Sequence, residues 1–245
     1  METAIIVPTL QEAENIEALI TQIEQTGLPF AEIVFVDDGS TDGTREQIRA
    51  FGEKRRVRLV EREGPDRGLA GAIVAGAEST AASLLVVMDA DLSHPPRQIG
   101  ALLRPILMNE ADLVIGSRYV RGGATPGWPV WRRVISRAAS GLAYPLTGVR
   151  DSMCGFFAIR RDCLLRFAKT AVGFKIVFEV IVRGRKTLRV REVPIVFQNR
   201  ERGRSKMSLT EAVRFALRWT RAIIRRLFYR SPSVSALPAR KLSHD

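Results

Sequence analysis

Cysteine is scarce: Cys154 and Cys163 are the only two in 245 residues. That count excludes a disulfide framework, and their spacing is not that of a zinc site, so both read as small buried side chains in a reducing compartment. Histidine is equally rare. Neither His94 nor His244 has a partner at metal-ligand spacing, and His94, beside Pro95 and Pro96, reads as turn packing. No run of about 18 consecutive apolar residues occurs, the length a membrane-spanning helix needs. The N-terminus has no secretory pattern, since Met1-Glu2-Thr3 leads straight into a strand. Together these absences predict a cytoplasmic protein without a transmembrane anchor of its own.

What is present is basic charge, unevenly placed. Residues 1–100 carry 9 Lys and Arg against 17 Asp and Glu, net −8, whereas residues 101–245 carry 29 against 9, net +20. A basic half suits nucleic acid, anionic lipid or a phosphorylated substrate, and charge alone does not choose among them. The length suits one large α/β domain with a sizeable core.

Along the chain, Ala4 to Pro8, Glu32 to Val36, Val57 to Val60 and Leu84 to Met88 read as short buried strands. Helical patterns lie between them: Glu12 to Gln25, with Ile16, Leu19, Ile20 and Ile23 on one face, then Glu46 to Phe51, and Leu69 to Ala81 after an Arg67-Gly68 turn. This alternation predicts parallel βαβ units, whose ligands sit beyond the C-terminal strand ends. Further on, the pattern predicts a helix over Arg97 to Leu107 and a strand over Ala111 to Ile115. A Gly- and Pro-rich loop over Gly122 to Pro129 precedes a helix from Arg132 to about Leu146. Strand character ending at Arg160, a helix opening at Gly173 to Ile176 and a late strand over Leu188 to Phe197 complete the domain. Past it, Leu209 to Phe228 is an amphipathic helix. Arg214, Arg218, Arg221 and Arg225 make a basic stripe opposite Val213, Ala216, Trp219, Ile223 and Leu227, a pattern that suits either the domain's own core or a membrane interface. The expected division is residues 1–207 as the catalytic domain, 208–230 as the basic helix and 231–245 as a flexible tail.

Chemistry gathers at strand ends. After Leu84 to Met88 come Asp89 and Asp91, spaced i, i+2, so in extended chain both carboxylates point to one side. A hard divalent cation offsets their repulsion, and Mg²⁺ in particular takes one or two carboxylates and leaves positions for substrate phosphate. A solvated turn is the plainer alternative for an isolated pair. Here the pair shares its edge with Pro8 and with Asp37-Asp38, and three separated motifs at one edge favour a site.

In order, Pro8-Thr9 with Glu12-Ala13-Glu14-Asn15-Ile16, Asp37-Asp38-Gly39-Ser40, Met88-Asp89-Ala90-Asp91-Leu92, Gly116-Ser117-Arg118-Tyr119, Gly155-Phe156-Phe157, Gly173-Phe174-Lys175-Ile176 and Gly203-Arg204-Ser205-Lys206 resemble the motifs of dolichyl-phosphate mannose synthases. These are inverting family-2 glycosyltransferases, and the resemblance runs over about residues 4–210. It implies the α/β GT-A fold, a Rossmann-like, mostly parallel sheet flanked by helices. It also implies transfer of one hexose, mannose favoured, from a nucleotide sugar, GDP-mannose favoured, to a polyprenyl or dolichyl phosphate, giving a β-linked product. By the same resemblance Pro8, Thr9, Glu12, Asp37, Asp38 and Ala90 line the nucleotide-sugar pocket, and Arg202 and Lys206 close over the donor diphosphate. Asp89 and Asp91 hold Mg²⁺ or Mn²⁺; Arg118, Arg132 and Ser136 receive the acceptor phosphate, with Arg118 counted among the catalytic groups. Glu179 and Lys175 are assigned structural roles. The family commonly has glutamine where this chain has Ser93, a shorter oxygen ligand, so the third metal position is open between Ser93 and water.

A family-2 transferase using a UDP-sugar such as UDP-glucose, or a polysaccharide acceptor, is the nearest alternative. A nucleic-acid binder and a non-catalytic subunit are more distant, and no nucleic acid is expected. Membrane attachment is expected to be peripheral, on the cytoplasmic face, through the basic helix or a separate anchoring subunit.

Overall fold

The computed structural model describes residues 1–64, 68–168 and 176–198. Arg202, Lys206, the basic helix at 208–230, the tail, Arg67 and the Gly173 to Lys175 motif lie outside the described residues.

The first half follows the predicted alternation: β1 (Thr3–Thr9), α1 (Ala13–Glu24), β2 (Glu32–Asp37), α2 (Thr44–Phe51), β3 (Val57–Glu61), α3 (Leu69–Ser79) and β4 (Leu84–Val87). These four strands are parallel in the order β3-β2-β1-β4. All four residues of β4 are buried, as an uninterrupted apolar strand between two neighbours must be. Because β2 and β3 step away on one side of β1 while β4 lies on the other, the crevice beyond the ends of β1 and β4 is where such a sheet takes its ligand. Gly76 lets α3 lie close on this sheet, since a Cβ there would stand 2.6 Å from Ile6 Cγ2.

The second half adds α4 (Ile99–Leu107), β5 (Leu113–Ser117), α5 (Val130–Thr147), β6 (Phe157–Arg160), α6 (Arg161–Ala168), α7 (Ile176–Gly184) and β7 (Val190–Pro194). The sheet continues β4-β6-β5-β7, with β6 antiparallel to both β4 and β5, and β5 parallel to β7. β5 runs two residues later than the sequence pattern predicts. Gly116 and Ser117, polar enough to read as loop, pair with Val193 and Pro194, while Asp112 at the other end turns its carboxylate to arginines. The antiparallel β6 has a consequence for function. Its N-terminal residue Phe157 pairs with Val87 and Ile115, so the segment leading into it, Asp151 to Phe156, arrives at the same edge where β4 and β5 end. Among the described residues, no helix is long and apolar enough to cross a membrane.

Candidate active site

One wall is made by the ends of β1 and β2. Asp37 has no exposed surface, and its carboxylate accepts from the Gly39 N–H at 3.0 Å, the Ser40 N–H at 2.9 Å, the Ser40 hydroxyl and Arg45 Nε at 2.5 Å. Burial would raise its pKa, but these donors outweigh it and hold the group below its ordinary value. So enclosed, the carboxylate pins the loop between β2 and α2 at the end of β2. Asp38, one residue on, accepts from Arg62 Nη1 and from the Gly68 N–H, both at 2.6 Å, and so ties the end of β2 to the start of α3. Thr9 is buried, with its hydroxyl 3.4 Å from Asp37 Oδ2. Beyond Pro8 and Thr9, the main chain is sewn to the β2–α2 loop: Gln11 N–H to Ser40 Oγ at 2.9 Å, Glu12 N–H to Thr44 Oγ1 at 3.0 Å and Ala13 N–H to Asp42 Oδ2 at 3.1 Å. The Glu12 carboxylate itself accepts from Asn15 Nδ2 at 2.8 Å.

The loop after β4 carries the acidic pair. Asp89 is 40% exposed, whereas Asp91 is buried and accepts the Ser93 N–H on Oδ1 at 3.0 Å. Between them Ala90 is buried, and Leu92 turns the chain with φ +60°, a conformation costly for leucine. His94 holds this turn from inside. It is 1% exposed, stacks on Phe156 at 5.2 Å, meets Phe197 edge-on at 5.3 Å, and accepts the Asp89 N–H on Nδ1 at 3.1 Å. Burial pushes its pKa down, against the pull of Asp89 and Asp91, so the ring is neutral with its proton on Nε2. Gly155 is the other support. A Cβ there would lie 3.3 Å from Asp89 Oδ1, so a side chain at residue 155 would press on the carboxylate in its present position.

Among the described residues no cluster of three or more His, Cys, Asp or Glu side chains forms a metal centre. The donors at hand are therefore two carboxylates, with the buried Ser93 beside them. An oxygen-only set of two fits a hard divalent cation that completes its shell with water and phosphate, and does not fit zinc.

Opposite stands a cationic, aromatic wall. Arg118, at the end of β5, is 8% exposed. It is forked onto Asp151: Nε to Oδ2 at 2.8 Å, Nη2 to Oδ1 at 2.8 Å, with the Arg118 N–H also on Oδ2 at 2.9 Å. Burial opposes the guanidinium charge, yet Asp151 outweighs it and raises the pKa. The fork uses one N–H of Nε and one of Nη2, out of the five donors of the guanidinium. Trp128 bridges the two arginines of the predicted set, with the Arg118 and Arg132 guanidinium carbons 5.2 and 3.9 Å from its ring centre. Ser136, one turn beyond Arg132 on α5, accepts a hydrogen bond from the Tyr119 hydroxyl at 2.5 Å. Cys154 lies beneath, its thiol pushed up to about 12 by burial and then by Asp151, and is inert.

Thus Pro8, Thr9, Asp38, Asp89, Asp91 and Arg118 share one sheet edge, with Arg132 and Ser136 joined to Arg118 through Trp128 and Tyr119. Asp151, Trp128 and the positioning role of His94 were not anticipated. Asp151 sits 33 residues from its arginine, in a polar stretch with no local pattern to mark it.

The model of the family described as glycosyl transferase family 2 matches residues 4–166. The chain belongs to that family. Family-2 relatives include a dolichol-phosphate mannosyltransferase of Pyrococcus furiosus, 39% identical over 213 residues, covering 84% of this chain and 59% of that protein. Another of the same name from Saccharomyces cerevisiae is 34% identical over 221 residues, covering 85% and 82%. The polyprenol monophosphomannose synthase of Mycolicibacterium smegmatis is 38% identical over 219 residues, covering 84% and 81%. The chain thus spans less than two thirds of the Pyrococcus relative. Glucosyl-3-phosphoglycerate synthase from Mycobacterium tuberculosis, solved with Mn²⁺, UDP and phosphoglyceric acid, superposes with a TM-score of 0.73 at 21% identity, over 94% of this chain and 80% of that one. That likeness establishes the GT-A fold of this family-2 domain.

Proposed function

We propose that the protein is an inverting mannosyltransferase that moves one mannose from a nucleotide sugar, GDP-mannose favoured, to a polyprenyl phosphate at the cytoplasmic face of a membrane. The observation that carries this reading is the placement of Asp89 and Asp91 at the β4 end on the sheet edge shared with the Arg118, Trp128, Arg132 and Ser136 wall. Names of relatives that share a third or more of the sequence support the sugar and the acceptor.

The chain's residues divide the work. The Asp37 clasp and the stitched β1–α1 loop hold the floor of a nucleotide pocket, and Asp38 keeps α3 against it. Asp89 and Asp91 would hold Mg²⁺ or Mn²⁺, which would supply positive charge against the donor diphosphate. His94 and Gly155 aim Asp89. An acceptor phosphate with a second pKa near about 6 is largely a dianion at neutral pH, so its oxygen attacks without a general base. The protein then needs an anion cradle, a role assigned to Arg118, Arg132 and Ser136. Displacement from the face opposite the leaving group inverts the anomeric carbon. Arg202 and Lys206 are assigned to the leaving diphosphate, and attachment to the membrane surface to residues 208–230 or to an anchoring subunit.

Incubation with GDP-mannose, Mg²⁺ or Mn²⁺ and a polyprenyl phosphate should give a mannolipid, and Asp89→Asn should reduce its formation at least about a hundredfold with the fold intact. A folded wild-type protein that makes no glycolipid from any common nucleotide sugar would overturn the reading.

A further inference from the structure

We infer that α5 and the end of β5 enclose a second anion site, separate from Arg118, Arg132 and Ser136, that takes a phosphoryl group. Tyr119, Arg137, Ser140, Gly141, Tyr144 and Arg150 line a cavity of about 230 Å³. That volume holds one phosphate with its first waters or one phospholipid headgroup.

Two arginines enter it and no carboxylate does. Among the described residues neither Arg137 nor Arg150 forms an ion pair. Arg137 is held over the Tyr119 ring at 5.6 Å. Arg150 is fixed through its main chain, since its own N–H and that of Asp151 donate to Glu192 at 2.8 and 3.0 Å. At the floor, Ser140 is 2% exposed, and its hydroxyl is buried without a hydrogen-bond partner among the described residues. A helical serine ordinarily returns its hydroxyl to the carbonyl four residues back or points it to solvent. Ser140 does neither, and a buried polar group left unmade costs free energy. Turned toward the cavity that Ser140 lines, the hydroxyl would meet a ligand oxygen there. Two guanidinium groups and one hydroxyl around a small cavity match the tetrahedral oxygens of a phosphoryl anion. Tyr119 is the wall shared with the catalytic edge, because its hydroxyl reaches Ser136 while its ring carries Arg137.

Neither glycosyl transfer nor the acceptor cradle is a premise of this site, and the test is built accordingly. In the full chain carrying Arg132→Gln, without divalent cation, pyrophosphate is titrated by calorimetry, and binding to phosphatidylcholine vesicles is measured with and without phosphatidylglycerol. Each measurement is repeated with Arg137→Gln and Arg150→Gln together, with Ser140→Ala, and with Arg104→Gln as a charge control on α4. The paired arginine variant should weaken binding about tenfold or more and Ser140→Ala severalfold, with Arg104→Gln unchanged. Loss seen with pyrophosphate identifies a soluble phosphoryl ligand, and loss confined to phosphatidylglycerol vesicles identifies a lipid headgroup; either supports the site. Because its hydroxyl is unpaired, Ser140→Ala should not lower Tm, which checks the fold of that variant. Binding unaffected by Arg137, Arg150 and Ser140, or lost equally with Arg104→Gln, would overturn it and leave only general surface charge.

Discussion

Residue by residue, the two walls of the candidate site are kept in place by groups packed behind or beside them. Asp151 is the clearest. It is fully buried and neutralises a buried Arg118, so Asp151→Asn leaves the guanidinium charge enclosed and unpaired. Breaking such a pair costs about 3–5 kcal/mol, and urea unfolding of the variant should show a loss of that order. Retained stability would mean that water or another anion reaches Arg118. Gly155 acts differently. The Cβ of Gly155→Ala meets the end of a flexible, partly exposed Asp89 side chain, which can swing aside. The fold should therefore keep its Tm while Mn²⁺ affinity falls about tenfold, as for other supports of a metal ligand. The carboxylates of the site were legible in the sequence because they end strands. Of their supports, Gly155 stood in the Gly155-Phe156-Phe157 motif without a role of its own, whereas Asp151 and His94 carry no pattern until β6 folds back beside β4.

Among the elements, β4 and the helices on it set the position of the acidic loop. α3 crosses β1 and β2 at Gly76, where an added methyl would press on Ile6 Cγ2 at 2.6 Å and Val36 Cγ2 at 3.0 Å, both in packed core. Alanine gains about 0.5–1 kcal/mol of helix propensity over glycine, but overpacking a tight core costs about 1–3 kcal/mol. Packing wins, so Gly76→Ala should destabilise by about 1–2 kcal/mol in chemical denaturation; a stabilised variant would show that α3 can lift from the sheet. The first four strands and their helices were readable from apolar runs and helical spacing, since each is a local pattern. The direction of β6 was not. Phe157 to Arg160 is as apolar as a parallel strand, and only its pairing with both β4 and β5 makes it antiparallel. α6 also escaped notice, because Arg161–Ala168 follows β6 with no turn residue between them.

Across the whole molecule, the sheet has two poles with separate charge clusters. The site occupies the edge where β1, β2, β4 and β5 end. At the opposite edge Asp112, just before β5, gathers Arg160 at the end of β6 and Arg189 at the start of β7, accepting from Arg160 Nε at 3.2 Å and from Arg189 Nη2 at 2.8 Å. Hydrogen bonding from Arg189 lowers the Asp112 pKa from 3.8 to about 2, against burial and with help from the Arg189 main chain and Arg160. A carboxyl whose pKa falls on folding binds fewer protons folded than unfolded between those values. Its contribution is therefore complete above about pH 4 and is lost as the pH falls through about 2. Solvent screens Arg189, which is 49% exposed, so the contribution is at most about 1 kcal/mol. Asp112→Asn should lower stability by that amount at neutral pH, and the gap to wild type should close as unfolding is followed down to about pH 2. Because the clasp lies across the sheet from Asp89, the same variant should bind nucleotide and Mn²⁺ as wild type does. A gap that persists at the acid limit would assign the loss to packing around the side chain, and altered nucleotide binding would show that the two poles are coupled through β5.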